Sequence, residues 1–520
     1  MKRNLFIMTA IFVSVHSFGQ GEIDAYRFSK NELSGTARGQ AMGGAFGALG
    51  GDVTGIAINP AGIGVYRSSE VVFNAGLTFN KTNADFMGFK ETKENTNLTC
   101  DNIAYTGYFP LGNDDRYALN FGFNYNRLKN FDRKYRVAGK GMTSSLTDYM
   151  SGITSGTPGK FWDDYENEDQ FFASGHPHWL GVLGWNGYLI NEDLEYENEY
   201  ISILEDGESV DPRLEVREKG SIAAYDFTLG ANLDNKVYLG ATVVYTGISY
   251  IASVSYDETF ANNGGFNLIN DYNTEGSGLQ VKLGAIFRPT DALRLGVSYH
   301  SPTWYDLTDY YWGKLSPDGI EIEDGGELAN PVSTPTGAYY EYQFKTPDVW
   351  TLSAAMVLGQ SSIISVDYEY KNYGKMTFSG QDYDFKPENG YIQDDFKGAT
   401  TIRAGVETRF TSQFSGRLGC AWMQNPYKSK FRNSEIEAVT PGAIPNYTLD
   451  GDALHLTAGV GFRFTPRFYI DLAIVYRTQE DELHFFSPLY SKAGEKYVDS
   501  TPAELINSSV KTLMTLGYKF

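Results

Sequence analysis

Cysteine is nearly absent, with Cys100 and Cys420 the whole complement, which excludes a four-thiolate metal site and a disulfide framework. Proline is sparse, 18 in 520 residues, and histidine sparser at 6. Cations are the scarcer charge, 43 Lys and Arg against 64 Asp and Glu for a net of -21. That balance cannot displace counterions from a phosphate backbone, so nucleic acid is excluded as a partner. Beyond the first twenty residues no run of eighteen apolar residues occurs, so no helix of the mature chain is expected to span a bilayer. What is abundant is tyrosine at 37, phenylalanine at 33 and glycine at 56. Aromatic residues suit a pleated surface and glycine supplies tight turns, so the chain reads as all-β.

Lys2 and Arg3, an apolar run from Leu5 to Val15, and small residues at Ser17 and Gly19 form a signal peptide over residues 1–19, cut before Gln20. The apolar run is too short for a membrane anchor. An exported chain that is rich in strands is either soluble or crosses an outer membrane as a closed barrel, the one sheet that satisfies every backbone polar group in hydrocarbon.

Segments of about ten residues with alternating apolar side chains, the barrel signature, decide between these. Val71, Phe73, Ala75, Leu77 and Phe79 make one; Leu239, Ala241, Val243 and Tyr245 another; Leu454, Leu456, Ala458, Val460 and Phe462 a third. Fourteen such segments occur between residues 65 and 520, and their connections alternate between short and long. Short links fall at Leu233 to Lys236, Pro289 to Ala292 and Thr465 to Arg467; long ones at 81–97, 257–275, 300–345 and, largest, 130–219. A soluble sandwich has no reason to alternate loop length so regularly. The sequence predicts a 14-stranded antiparallel transmembrane β-barrel in the outer membrane, monomeric, with both mature termini periplasmic. Outer-membrane lipid and the barrel-assembly machinery are its expected partners, the latter through the terminal Phe520.

Residues 20–64, before the first strand, contain ten glycines between Gly35 and Gly64, too flexible to stand alone. Gly35, Gly39, Gly43, Gly47, Gly51 and Gly55 recur every fourth residue, which on a helix makes a bare ridge permitting close backbone approach. Inward-parity glycines on the strands, among them Gly230, Gly240, Gly284, Gly296, Gly405 and Gly419, mark room for another backbone. Fourteen strands enclose more space than their own side chains fill, so residues 20–64 are expected to plug the lumen. Asn59-Pro60-Ala61-Gly62, following Gly43-Gly44-Ala45-Phe46 and Gly50-Gly51-Asp52, resembles the hatch of the FadL-type outer-membrane transporters, the family of long-chain fatty acid and aromatic hydrocarbon channels. The resemblance implies a fourteen-stranded barrel, a movable hatch in which Asn59, Pro60 and Ala61 carry over, and passive uptake of hydrophobic molecules released sideways through the wall.

Candidate ligand contacts fall in two groups. The loop 130–219 carries eighteen acidic against eight basic residues, yet also Trp162, Phe171, Phe172, Trp179 and Trp185, which either line a capture groove or pack the loop onto the rim. Parity places Lys282, Arg403, Arg417 and Arg463 inside the barrel, as anchors for a carboxylate head or as partners of the inward Asp226, Asp367, Glu369, Glu407 and Asp471. No strand carries a lipid-facing histidine beside a serine, so an enzyme is not expected, and no cofactor or metal site is expected either. Besides a channel for hydrophobic small molecules, the same architecture serves as a protein-binding or secretion scaffold.

Overall fold

A computed structural model describes residues 21–112, 116–163, 171–172, 178–262, 264–322, 326–380, 383–491 and 493–520. The signal-peptide residues lie outside the described residues. Fourteen antiparallel strands close into a barrel. They are β1 (Glu70–Phe86), β2 (Phe89–Pro110), β3 (Tyr117–Asn130), β4 (Val210–Leu233), β5 (Val237–Phe260), β6 (Gly265–Phe287), β7 (Leu293–His300 continued by Trp304–Asp318) and β8 (Ala338–Lys345 continued by Val349–Leu358). The rest are β9 (Ser362–Asn372), β10 (Gly398–Arg409), β11 (Phe414–Met423), β12 (Ala453–Arg463), β13 (Phe468–His484) and β14 (Ala503–Lys519). Closure runs from Glu70 opposite Lys519 to Asp85 opposite Glu504. β7 and β8 are each interrupted around a proline, and Thr303 and Thr346 bridge the break, the Thr303 N–H donating 2.9 Å to Oγ1 of Thr346.

Outward side chains such as Phe227, Leu229, Leu352, Leu418 and Ile474 are exposed around one band of the barrel, the face that hydrocarbon covers. On one side of that band the connections are short. On the other the strands continue far beyond it, so several spans read from sequence as loops are ladders. β1 and β2 join through Met87 and Gly88 with φ of 52° and 85°, a left-handed pair that matches strand twist. On β5 the apolar parity inverts above the band: Leu239, Val243 and Tyr245 face out, whereas Ile248, Tyr250, Val254 and Tyr256 face in and are buried. There water, not acyl chain, covers the outside. Among the described residues, the connection between β3 and β4 folds inward as strand Arg133–Ala138, helix α4 (Leu146–Thr154), whose N-terminus Ser145 caps, and helix α5 (Trp179–Asn186), whose N-terminus His178 caps, the numbering following three N-terminal helices.

Those three, α1 (Glu22–Ser29), α2 (Ala37–Ala41) and α3 (Val53–Ile58), belong to a segment buried against the inner wall along its length. The four-residue glycine spacing does not make one helical ridge. Gly35, Gly43 and Gly51 have φ of 107°, 64° and 66°, so they turn the chain between short helices instead. Gly21 packs against the Val439 carbonyl and Glu22 Oε1 accepts the Val439 N–H at 2.8 Å, at the long-loop end. Phe520 pairs with Ser69 at the short-turn end. The two ends of the described chain thus lie at opposite mouths of the barrel, which differs from the expectation that they share one side. The 49 residues from Gly21 to Ser69 suffice to thread the lumen from top to bottom.

Candidate functional site

The N-terminal segment is held by the wall at every level. Inward glycines are the points of contact. A β-carbon at Gly240 would overlap Pro60, at Gly419 the Gly43 amide, at Gly405 the Met42 carbonyl, and at Gly230 the Ile63 side chain. Gly76, Gly461 and Gly517 face neighbouring strand side chains instead. Asn59 caps the turn Pro60–Val65 by accepting the Ala61 N–H at 3.1 Å, and its Nδ2 donates to the Gly47 carbonyl at 2.7 Å and the Ala285 carbonyl at 3.2 Å. One side chain therefore ties two parts of the segment to β6. Gly47 is also cradled from β9, where Asp367 accepts the Phe46 and Gly47 N–H groups at 3.0 and 2.9 Å. Charge-assisted bonds of this kind are about twice as strong as neutral ones.

Three of the four inward cations are ion-paired. Arg417 bridges Glu407 and Asp471, both at 2.6 Å, and Arg38 of α2 reaches Glu407 at 2.8 Å. Arg403 meets Glu369 at 2.8 Å. Lys282 lies 3.5 Å from Asp226 and donates to the Ala57 carbonyl at 3.1 Å. Arg463 is exposed at the short-turn mouth with no carboxylate partner among the described residues. Of the loop aromatics, Trp162, Phe171 and Phe172 are buried in the cluster that joins the long loop to β5, β6 and β7, with Trp179 and Trp185 half-buried at its margin. Trp162 and Trp185 stack at 4.8 Å.

Beside the upper part of the segment a cavity of about 220 Å³ is lined by Tyr26, Arg27 and Lys30 of the N-terminal segment and by Tyr250, Asp450 and Asp481 opposite them. Its side borders a seam that sequence reasoning missed. β2 and β3 pair from Pro110 opposite Ala118 only as far as Asn102 opposite Asn126. Beyond that point β3 bulges at Arg127–Lys129 and bends inward, so that the Asp132 carbonyl accepts from Asn80 at 3.3 Å and Asn95 at 3.4 Å on the inner face of β1 and β2. The β2 edge from Phe89 to Asp101 has no ladder partner on its β3 side. Asp101 pairs with Lys511 at 2.9 Å beside it, and Thr99, Asp101, Arg127 and Lys129 line the cavity. Two cations in three residues, Arg127 and Lys129, within an otherwise alternating strand were the available signal.

Among known proteins, the family model described as outer membrane protein transport protein (OMPP1/FadL/TodX) matches residues 226–485. A Pseudomonas aeruginosa FadL homologue superposes with a TM-score of 0.51 at 12% identity, over 94% of this chain and 99% of that one. The Ralstonia pickettii toluene transporter TbuX gives 0.47 at 13%, with coverage of 94% and 99%. The Pseudomonas putida toluene transporter TodX gives 0.47 at 12%, with coverage of 94% and 99%. No curated protein matches the sequence. With half of its residues matched by the family model and its fourteen strands closed as a barrel, the chain belongs to the OMPP1/FadL/TodX family of outer-membrane transport proteins.

Proposed function

We propose that the protein is an outer-membrane channel for passive uptake of hydrophobic small molecules, long-chain fatty acids or aromatic hydrocarbons, with residues 20–64 as its hatch. Ligand is captured at the outer loops, where Trp179 and Trp185 are the half-buried candidates, passes into the cavity below, and leaves sideways between β2 and β3. The unpaired seam beyond Asn102 is the observation that carries this reading. A barrel wall without a ladder there gives an apolar solute a route to acyl chains that avoids water, and a hatch fixed at Asn59 and Asp367 blocks the axial route. Arg27 and Lys30 are ion-paired with Asp24 and Asp450, whereas Arg127 and Lys129, which line the cavity without a carboxylate partner among the described residues, suit an acidic head better than a neutral hydrocarbon.

A second reading, a protein-binding scaffold, is favoured by the Arg38, Glu407, Arg417 and Asp471 network that bars the lower lumen. Uptake of radiolabelled oleate and toluene by a deletion strain, with and without the gene, separates the two. Gene-dependent uptake of either compound supports the channel, and unchanged uptake of both leaves the scaffold.

A further inference from the structure

Two neighbouring short turns share a sequence pattern that the channel does not use. Arg409-Phe410-Thr411-Ser412-Gln413-Phe414 joins β10 to β11, and Arg463-Phe464-Thr465-Pro466-Arg467-Phe468 joins β12 to β13. They are built alike. Phe410 N–H donates to the Phe414 carbonyl and Phe464 N–H to the Phe468 carbonyl, each at 3.0 Å. The threonine hydroxyl of each turn accepts the N–H of the second phenylalanine, at 2.9 Å from Phe414 and 3.0 Å from Phe468. The Arg463 N–H donates to the Gln413 carbonyl at 2.9 Å, which joins the turns into one surface.

On that surface Arg409, Arg463 and Arg467 are exposed, and none has a carboxylate partner among the described residues. Residues 408–416 and 461–469 contain no Asp or Glu, in a chain whose acids outnumber its bases. Glu407 and Asp471, the acids that flank these turns in sequence, are held inside by Arg417. Phe410, Phe414, Phe462 and Phe464 are exposed on the same turns, at the edge of the apolar band, where aromatic rings sit at headgroup depth.

We propose that these twin turns are a binding site for an anionic phospholipid of the periplasmic leaflet, the rings against its upper acyl chains and the guanidiniums on its phosphate. Guanidinium forks match phosphate oxygens in pairs, and arginine stems are long enough to reach headgroup level from a strand end. Alternate strands lie about 10 Å apart, so Arg409 and Arg463 present separate charges that also suit a lipid with two phosphates. Short turns face the periplasm in barrels of this kind, and that leaflet is the phospholipid one.

The test is native mass spectrometry of the full-length, detergent-purified and delipidated protein titrated with phosphatidylglycerol, cardiolipin and phosphatidylcholine. The wild type is expected to retain the two anionic lipids at least tenfold over phosphatidylcholine, and R409Q/R463Q/R467Q to lose that preference. Arg213→Gln with Arg217→Gln, on the opposite rim, is expected to keep it. If the triple variant fails to assemble, the single R463Q carries the same expectation at reduced size. Equal preference in wild type and variant, equal retention of phosphatidylcholine, or displacement of bound lipid by soluble glycerol phosphate at equal concentration would overturn the proposal. Solute uptake is not read, so this result stands apart from the channel's.

Discussion

Gly284 of β6 lies so close beneath Asn59 that a β-carbon there would overlap the Asn59 Oδ1 atom, the same atom that caps the turn at Pro60. The wall and the N-terminal segment are therefore fitted at an oxygen, and enlarging the wall residue must move the cap. Gly284→Val is expected to leave barrel assembly intact, since valine suits a strand, while loosening the segment. Planar-bilayer conductance is expected to rise from a closed to a leaky level, and cells to become sensitive to polar antibiotics that the wild type excludes. Asp367→Asn, which weakens the cradle under Phe46 and Gly47, is expected to act in the same direction at a cost of about 1–3 kcal/mol in the anchoring of the N-terminal segment.

The lower lumen is held by charges that cannot be removed singly. Arg417→Ala leaves Glu407 and Asp471 facing one another with only Arg38 beside them. Breaking a buried pair from one side costs about 3–5 kcal/mol. The temperature at which the folded band converts to the unfolded one on detergent gels is expected to fall, and Arg417→Ala with Glu407→Gln to recover part of the loss.

The docking of α1 under the outer loops is expected to weaken with rising pH. Burial, reinforced by Asp395 and Glu388 of the helix Lys386–Asp395, pushes the Glu22 carboxyl from 4.5 up to about 8. Burial, with Asp394 opposing ionisation and Lys428 favouring it, pushes Asp395 up to about 7. A raised carboxyl binds its proton more tightly when docked, so this stabilisation is full below about pH 4.5 and is lost as pH climbs through 8. Amide protection factors in α1, corrected for intrinsic exchange, are expected to fall between pH 5 and 9, and to fall less steeply in Glu22→Gln, where Asp395 alone still titrates.

The stacked pair Trp162 and Trp185 anchors the long loop. Trp162→Ala opens a cavity in that cluster and costs about 3–5 kcal/mol, read as protease cleavage between residues 139 and 209. A role confined to ligand capture would instead lower uptake without added cleavage.

The barrel itself was legible because hydrocarbon imposes one rule on every strand it touches. Leu229, Leu418 and Ile474 alternate outward for that reason. Where hydrocarbon ends the rule ends, so residues 257–275 read from sequence as a loop although the β5–β6 ladder continues there, with Asp257 opposite Asn267 and Thr259 opposite Gly265. The inward cations were found by parity, but parity does not tell a ligand anchor from an ion pair. Arg403 and Arg417 have acidic partners on the adjacent strand and Lys282 has one two strands away, whereas Arg463 has none among the described residues. The seam left one mark in the sequence, Arg127 and Lys129 breaking the alternation of β3, but a charged strand end reads equally as the start of a loop, and the missing ladder itself is not written in side-chain periodicity. The path of the N-terminal segment up the lumen rests on turns at positive φ such as Gly43 and Gly51, which a four-residue repeat alone does not separate from a helix.

The central claim is that cargo leaves between β2 and β3, and it is tested by closing that seam. In a Cys420→Ala background, a short bismaleimide joining native Cys100 to a cysteine placed at Arg127 spans the gap just beyond the last paired residues, Asn102 and Asn126. The account predicts that oleate or toluene uptake falls at least tenfold on crosslinking, while a non-bridging maleimide at the same sites leaves most of it. Full uptake through a bridged seam would contradict it.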